Sequence, residues 1–75
     1  MRHNNNKIWF EAILNNDIFS IKEWISKTEN IDATDVEQCT PLYWSCFLNR
    51  KEITKLLLEN GANPFIQDEK GIFPW

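Results

Sequence analysis

The sequence predicts an all-α fold: a helix–turn–helix solenoid fragment whose units are joined by β-hairpin or loop connections. Three observations carry this reading. Apolar residues recur at three- and four-residue spacing in four short stretches. Residues that cap helices stand in front of two of them, at Asp17 and at Thr40-Pro41. A shift of 33 residues lays one half of the chain on the other.

In the first stretch, Trp9, Ala12, Ile13 and Leu14 predict a helix over residues 8–14. Asn15-Asn16 ends it, because asparagine tolerates the left-handed backbone of a helix C-terminus. Asp17 is the expected N-cap of a second helix over 18–27, with Ile18, Ile21, Trp24 and Ile25 as its apolar face. Residues 28–38 are polar and turn-rich. Thr40 then caps a third helix and Pro41 takes its first position, where a missing N–H costs nothing. Leu42, Tyr43, Cys46 and Phe47 continue that helix until about Asn49. A fourth covers 52–60, with Ile53, Leu56 and Leu57 buried and Gly61 as its left-handed cap. The run DEKGIFPW reads as another turn and another beginning.

The 33-residue shift superposes Asp35 on Asp68, Asn16 on Asn49, Asn30 on Asn63 and Lys22 on Lys55. It also places Ala12 on Ser45, Trp24 on Leu57 and Ile25 on Leu58, which preserves size class or polarity at buried positions. The expected organisation is a disordered lead at 1–6, a divergent first unit at 7–34, a second at 35–67, and the hairpin start of a third, truncated unit at 68–75. One such unit cannot hide its apolar face alone, so neighbours must stack. Two units and a stub predict marginal stability, unless Ile72-Phe73-Pro74-Trp75 folds back over the open end of the second.

Residues 40–71 closely resemble an ankyrin repeat. The residues that carry the likeness are Thr40-Pro41-Leu42-Tyr43-Trp44-Ser45, the run Leu56-Leu57-Leu58, then Gly61-Ala62-Asn63, and the turn Asp68-Glu69-Lys70-Gly71. Residues 2–34 match more weakly, with Lys7-Ile8-Trp9 in place of Thr-Pro-Leu. Tyr43 replaces the family's histidine, and Gln38 the glycine expected at the first hairpin tip.

The chemistry-bearing residues are few. Cys39 and Cys46, with one distant His3, cannot supply four zinc ligands, and no second histidine exists to activate a thiol. Cys46 is expected as a buried small hydrophobe and Cys39 as partly exposed near the hairpin base, with no disulfide. The carboxylates Asp32, Asp35, Glu37, Asp68 and Glu69 lack calcium-loop spacing. Arg50, Lys51 and Lys55 form a small basic cluster without a glycine-rich loop. Eight basic residues against 11 acidic ones leave a net charge of −3 and no basic stripe, which disfavours nucleic acid. No apolar run approaches membrane-span length. Trp9, Trp24, Trp44 and Phe65 are expected in the core. No cofactor, metal or catalytic residue is expected.

The resemblance therefore implies a non-catalytic protein–protein interaction module with an unidentified protein partner. It would present Val36, Glu37 and Cys39 on a first finger and Glu69, Lys70 and Ile72 on a second. Leu14, Asn15, Phe47, Leu48 and Arg50 would lie on the concave side. Leu14, Phe47 and Leu48 have two readings, contact between units or an exposed patch awaiting a partner. The alternative function is a structural cap of a longer array, or a piece that self-associates through the open C-terminal face. A cytoplasmic location is expected, with delivery into another cell as an effector the other option.

Overall fold

Four helices form in the expected places. The computed structural model describes residues 6–75, with side chains from Ile8 onward. They are α1 (Asn6–Leu14), α2 (Ile18–Lys27), α3 (Pro41–Phe47) and α4 (Lys51–Glu59). Of the lead expected at 1–6, residues 1–5 lie outside the described residues, and Asn6 already opens α1.

The caps follow their sequence signals. Asp17 Oδ1 accepts from the Ser20 backbone N–H at 3.2 Å, and Oδ2 accepts from the Ser20 hydroxyl at 2.8 Å. These bonds hold the Asp17 carboxyl below its ordinary range. Thr40 Oγ1 accepts from the Tyr43 N–H at 3.1 Å, with Pro41 following. Asn16 and Asn49 both take left-handed backbone, with φ of 54° and 60°. Just beyond them, the Asp17 N–H donates to Ala12 C=O and the Arg50 N–H to Ser45 C=O, each at 2.7 Å. The same inter-helix turn is thus built twice, 33 residues apart.

The helices pack as two antiparallel pairs, α1 on α2 and α3 on α4, stacked so that α1 meets α3 and α2 meets α4. One apolar cluster runs through both pairs: Trp9, Ile13, Ile21 and Trp24 from the first, Leu42, Ile53 and Leu57 from the second. Fully burying such a side chain is worth about 1.5–3 kcal/mol. Ile25, Cys46, Trp44 and Leu56 pack partly buried around it.

Of the hairpin or loop connections expected, the loop form occurs. No strand occurs among the described residues. Each finger is a single tight turn. In the first, Asp35 N–H donates to Cys39 C=O and Gln38 N–H to Asp35 C=O, both at 3.0 Å. In the second, Asp68 N–H donates to Ile72 C=O and Gly71 N–H to Asp68 C=O, both at 2.9 Å. One backbone bond joins the fingers, from Glu69 N–H to Glu37 C=O at 3.0 Å. That is too few ladder bonds for a sheet.

The two cysteines exchange their expected roles. Cys39 is only 3% exposed, while Cys46 is half-buried. The cause is position in the stack. Ile13, 33 residues before Cys46, lies fully buried between the pairs, whereas Cys46 lines an open groove on the outward side of α3. Cys39 is closed over by its own finger, whose Asp35 Oδ1 accepts from the Cys39 N–H at 2.9 Å. Phe65 is also misplaced by the sequence reading. It is exposed and belongs to a separate aromatic group with Phe73 and Trp75. There the tail turns back: Phe73 and Trp75 stack at 5.0 Å, and the Trp75 indole donates to Pro64 C=O at 2.9 Å. Pro74 and Trp75 reach the rim of the open end without sealing it, since Leu58 there stays exposed.

Candidate functional site

Two aspartates one repeat apart build the fingers. Asp35 Oδ1 accepts from the N–H groups of Glu37 and Cys39, both at 2.9 Å. Asp68 Oδ1 accepts from Lys70 at 2.8 Å and Ile72 at 2.9 Å. Each short side chain replaces a missing strand partner and fixes its turn.

The second oxygens tie the fingers to α3. Tyr43 O–H donates to Asp68 Oδ2 at 2.8 Å, so the second finger hangs on the preceding helix pair. The residue equivalent to Tyr43 in the first pair is Phe10, which has no hydroxyl. Phe10 instead meets the Trp44 ring edge-on at 5.3 Å, and the Trp44 indole N–H donates to Asp35 Oδ2 at 2.8 Å. Asp68 is thereby held below the ordinary carboxylate range, first by the Ile72 N–H, then by Tyr43 and Lys70.

Between the fingers and α3 lies a groove of about 230 Å³, lined by Glu37, Tyr43, Trp44, Phe47, Glu69 and Lys70, with Cys39 and Asp68 beneath. Val36, inside the first finger, is 89% exposed, and Ile72, which closes the second finger on Asp68, is exposed as well. Phe47 is 68% exposed and its first-pair equivalent Leu14 is 45% exposed. Asn15, Glu37, Glu69 and Lys70 are exposed as well.

Three residues expected on this surface are engaged within the fold. Cys39 is buried, as described, so its thiol is not displayed. Leu48 packs partly buried against the core. Arg50 crosses the unit boundary: its Nε–H donates to Ile13 C=O at 3.1 Å and its Nη2–H to Leu14 C=O at 2.8 Å. It completes the C-terminus of α1, whose partial negative charge it faces. Sequence reasoning missed the opposite case, Tyr43 and Trp44, which line the groove. The signal was present in their polar tips, because a half-buried Tyr O–H or Trp N–H needs a partner.

No group of three metal-binding side chains gathers among the described residues. Both cysteines are free thiols. No helix of the described residues is long and apolar enough to cross a membrane.

A family model described as ankyrin repeats, three copies, matches residues 2–68. The chain belongs to the ankyrin repeat family. An ankyrin repeat protein of Fowlpox virus (strain NVSL) is 33% identical over 65 residues, which are 87% of this chain and 9% of the viral protein. One of Acanthamoeba polyphaga mimivirus is 36% identical over 64 residues, 84% of this chain and 8% of that one. The chain thus spans less than a tenth of the length of these relatives. The 2-5A-dependent ribonuclease of Homo sapiens, an enzyme by name, is 27% identical over 71 residues, and the match covers 10% of it. The crystal structure of the human ASB11 ankyrin repeat domain shares the fold, with a TM-score of 0.79 at 24% identity over 88% of this chain and 30% of that one. Ankyrin repeats generally mediate protein–protein interaction and are in general non-catalytic. In this ankyrin chain the repeat explains the doubled turns at Asn16 and Asn49 and the doubled aspartates at the finger bases.

Proposed function

We propose that this chain is a non-catalytic recognition unit for a protein partner, made of repeats at 7–34 and 35–67 with the opening of a third at 68–75. The observation that carries this reading is the pairing of rigid fingers with uncovered apolar side chains on and beside them. Asp35 and Asp68 hold the finger backbones, Tyr43 and Trp44 brace them, and Val36, Ile72, Phe47 and Leu14 remain exposed. Large apolar groups on a pre-organised frame bind at little cost in ordering entropy. Asn15, Glu37, Glu69 and Lys70 complete the surface as its polar rim. Two free thiols suit a reducing, cytoplasmic compartment.

The test is affinity capture with mass spectrometry, followed by pull-down of the captured partner with single alanine variants. Loss at Val36, Ile72, Phe47 or Leu14 supports the surface. Retention in every variant removes it.

A second reading has its own observation. The outward side of α3 and α4 carries a groove of about 540 Å³, lined by Cys46, Thr54, Leu58, Pro74 and Trp75 with Arg50, Lys51 and Lys55 at its edge. In a capping or self-associating piece of an array this side would be the joint. Sedimentation at increasing concentration separates the two, because dimers that grow with concentration favour the joint.

A further inference from the structure

The groove between the fingers has a chemistry that display of apolar side chains does not use. Its floor is aromatic. Tyr43 and Phe47 lie nearly parallel, 18° apart at 6.5 Å, and Trp44 stands edge-on to Phe47 at 5.5 Å. Its rim is acidic. Glu37 and Glu69 both line it, and the single bond that joins the fingers runs from one backbone to the other. Asp35 and Asp68 spend their oxygens on the turns and on α3. The carboxylates of Glu37 and Glu69 enter no hydrogen bond or ion pair among the described residues. Lys70 is the one cation in the lining.

We propose that this groove receives the cationic end of a lysine or arginine side chain on an extended segment of the partner protein. The proposal rests on the reading of the chain as a recognition unit and narrows the partner's chemistry.

Aromatic faces carry a negative quadrupole and attract a cation lying over them. Carboxylates at the mouth complete its coordination by charge-assisted hydrogen bonds. The field inside the groove has the matching sign. The Cys39 thiol is pushed up to about 11, by burial first and then by Asp35, Asp68, Glu37 and Glu69. The Tyr43 phenol is pushed up to about 12, first by its bond to Asp68, then by burial and the same negative surroundings. A purely apolar segment would leave Glu37 and Glu69 desolvated without a partner, which is costly. A phosphate backbone would be repelled.

The test uses the whole chain labelled with ¹⁵N and short acetylated, amidated Gly/Ser peptides. Their central residue is lysine, arginine, norleucine or glutamate. The lysine and arginine peptides are expected to shift the Trp44 indole and the Glu69 and Lys70 amides, with weaker binding as salt rises. Norleucine and glutamate peptides should bind at least about fivefold more weakly. The double variant Glu37→Gln, Glu69→Gln and the single variant Phe47→Leu should each weaken the lysine peptide about fivefold with an unchanged helical spectrum. Equal binding of norleucine, absence of any shift at millimolar peptide, or indifference to the double variant would each overturn the proposal. The captured partner separates this outcome from the broader reading. If Val36→Ala or Ile72→Ala abolishes capture while the double variant retains it, the cation site falls and the recognition unit stands. If no surface variant matters, both fall.

Discussion

Arg50 reaches across the boundary between the helix pairs, with two guanidinium nitrogens bonded to the last carbonyls of α1. Its counterpart in the first pair is Asp17, a plain N-cap, so the same repeat position serves two different termini. Replacing Arg50 with alanine should cost about 1–2 kcal/mol by removing charge-assisted bonds to carbonyls. Arg50→Lys should recover only part, because an ammonium cannot reproduce the fork. Urea denaturation of the three proteins checks both. Tyr43 offers a second residue-scale test, since it is the chain's only tyrosine. Its folded pKa of about 12 lies above the ordinary 10.0, so the protonated phenol favours the fold. That contribution is intact below pH 10 and is lost as pH rises toward 12. Absorbance at the tyrosinate band should titrate near the higher value and move down in Asp68→Asn. Asp68 works at the other end of the scale. Its lowered folded pKa contributes stability above 3.8 that disappears as pH falls through the folded value.

At the scale of the element, each finger depends on one left-handed residue at its tip. The second has Gly71, with φ of 81°, and the first has Gln38, with φ of 67°. A side chain in that region pays a steric cost that glycine avoids. Gln38→Gly is therefore expected to stabilise the chain by about 0.5–1 kcal/mol, less than the full steric cost because glycine also gains freedom when unfolded. A raised urea midpoint would show it, and an unchanged or lowered one would count against strain at this tip. The helices themselves are seven to ten residues long, too short to persist alone in water. They hold because one face of each enters the shared core.

At the scale of the molecule, the two helix pairs have no separate interiors. Leu57 lies in one buried cluster with Trp9 and Trp24 of the first pair. Leu57→Ala should cost about 2–5 kcal/mol. Loss should appear at the same urea concentration by tryptophan fluorescence and by helical circular dichroism, since neither pair has a core of its own. Two separated transitions would contradict the single core. The tail contributes at this scale too. Removing residues 73–75 deletes the Phe73–Trp75 stack and the bond to Pro64 C=O while leaving the second finger whole, and the melting midpoint should fall. An unchanged midpoint would remove the tail from the account of stability.

Much of this was legible in the order of residues. Asp17 and Thr40-Pro41 announced their helices, Asn16 and Asn49 announced the turns, and the 33-residue shift announced the stack. Those signals are local or periodic, so they survive without knowledge of neighbours. The tertiary structure alone decided which cysteine is hidden, where Arg50 points, and that Tyr43 and Trp44 brace different fingers. The bonds of Arg50, Tyr43 and Trp44 reach partners 9 to 37 residues away in the chain. A repeat tells a side chain its place within the unit. Only the packed stack tells it whether another unit lies against it, and burial, charge and hydrogen bonding follow from that.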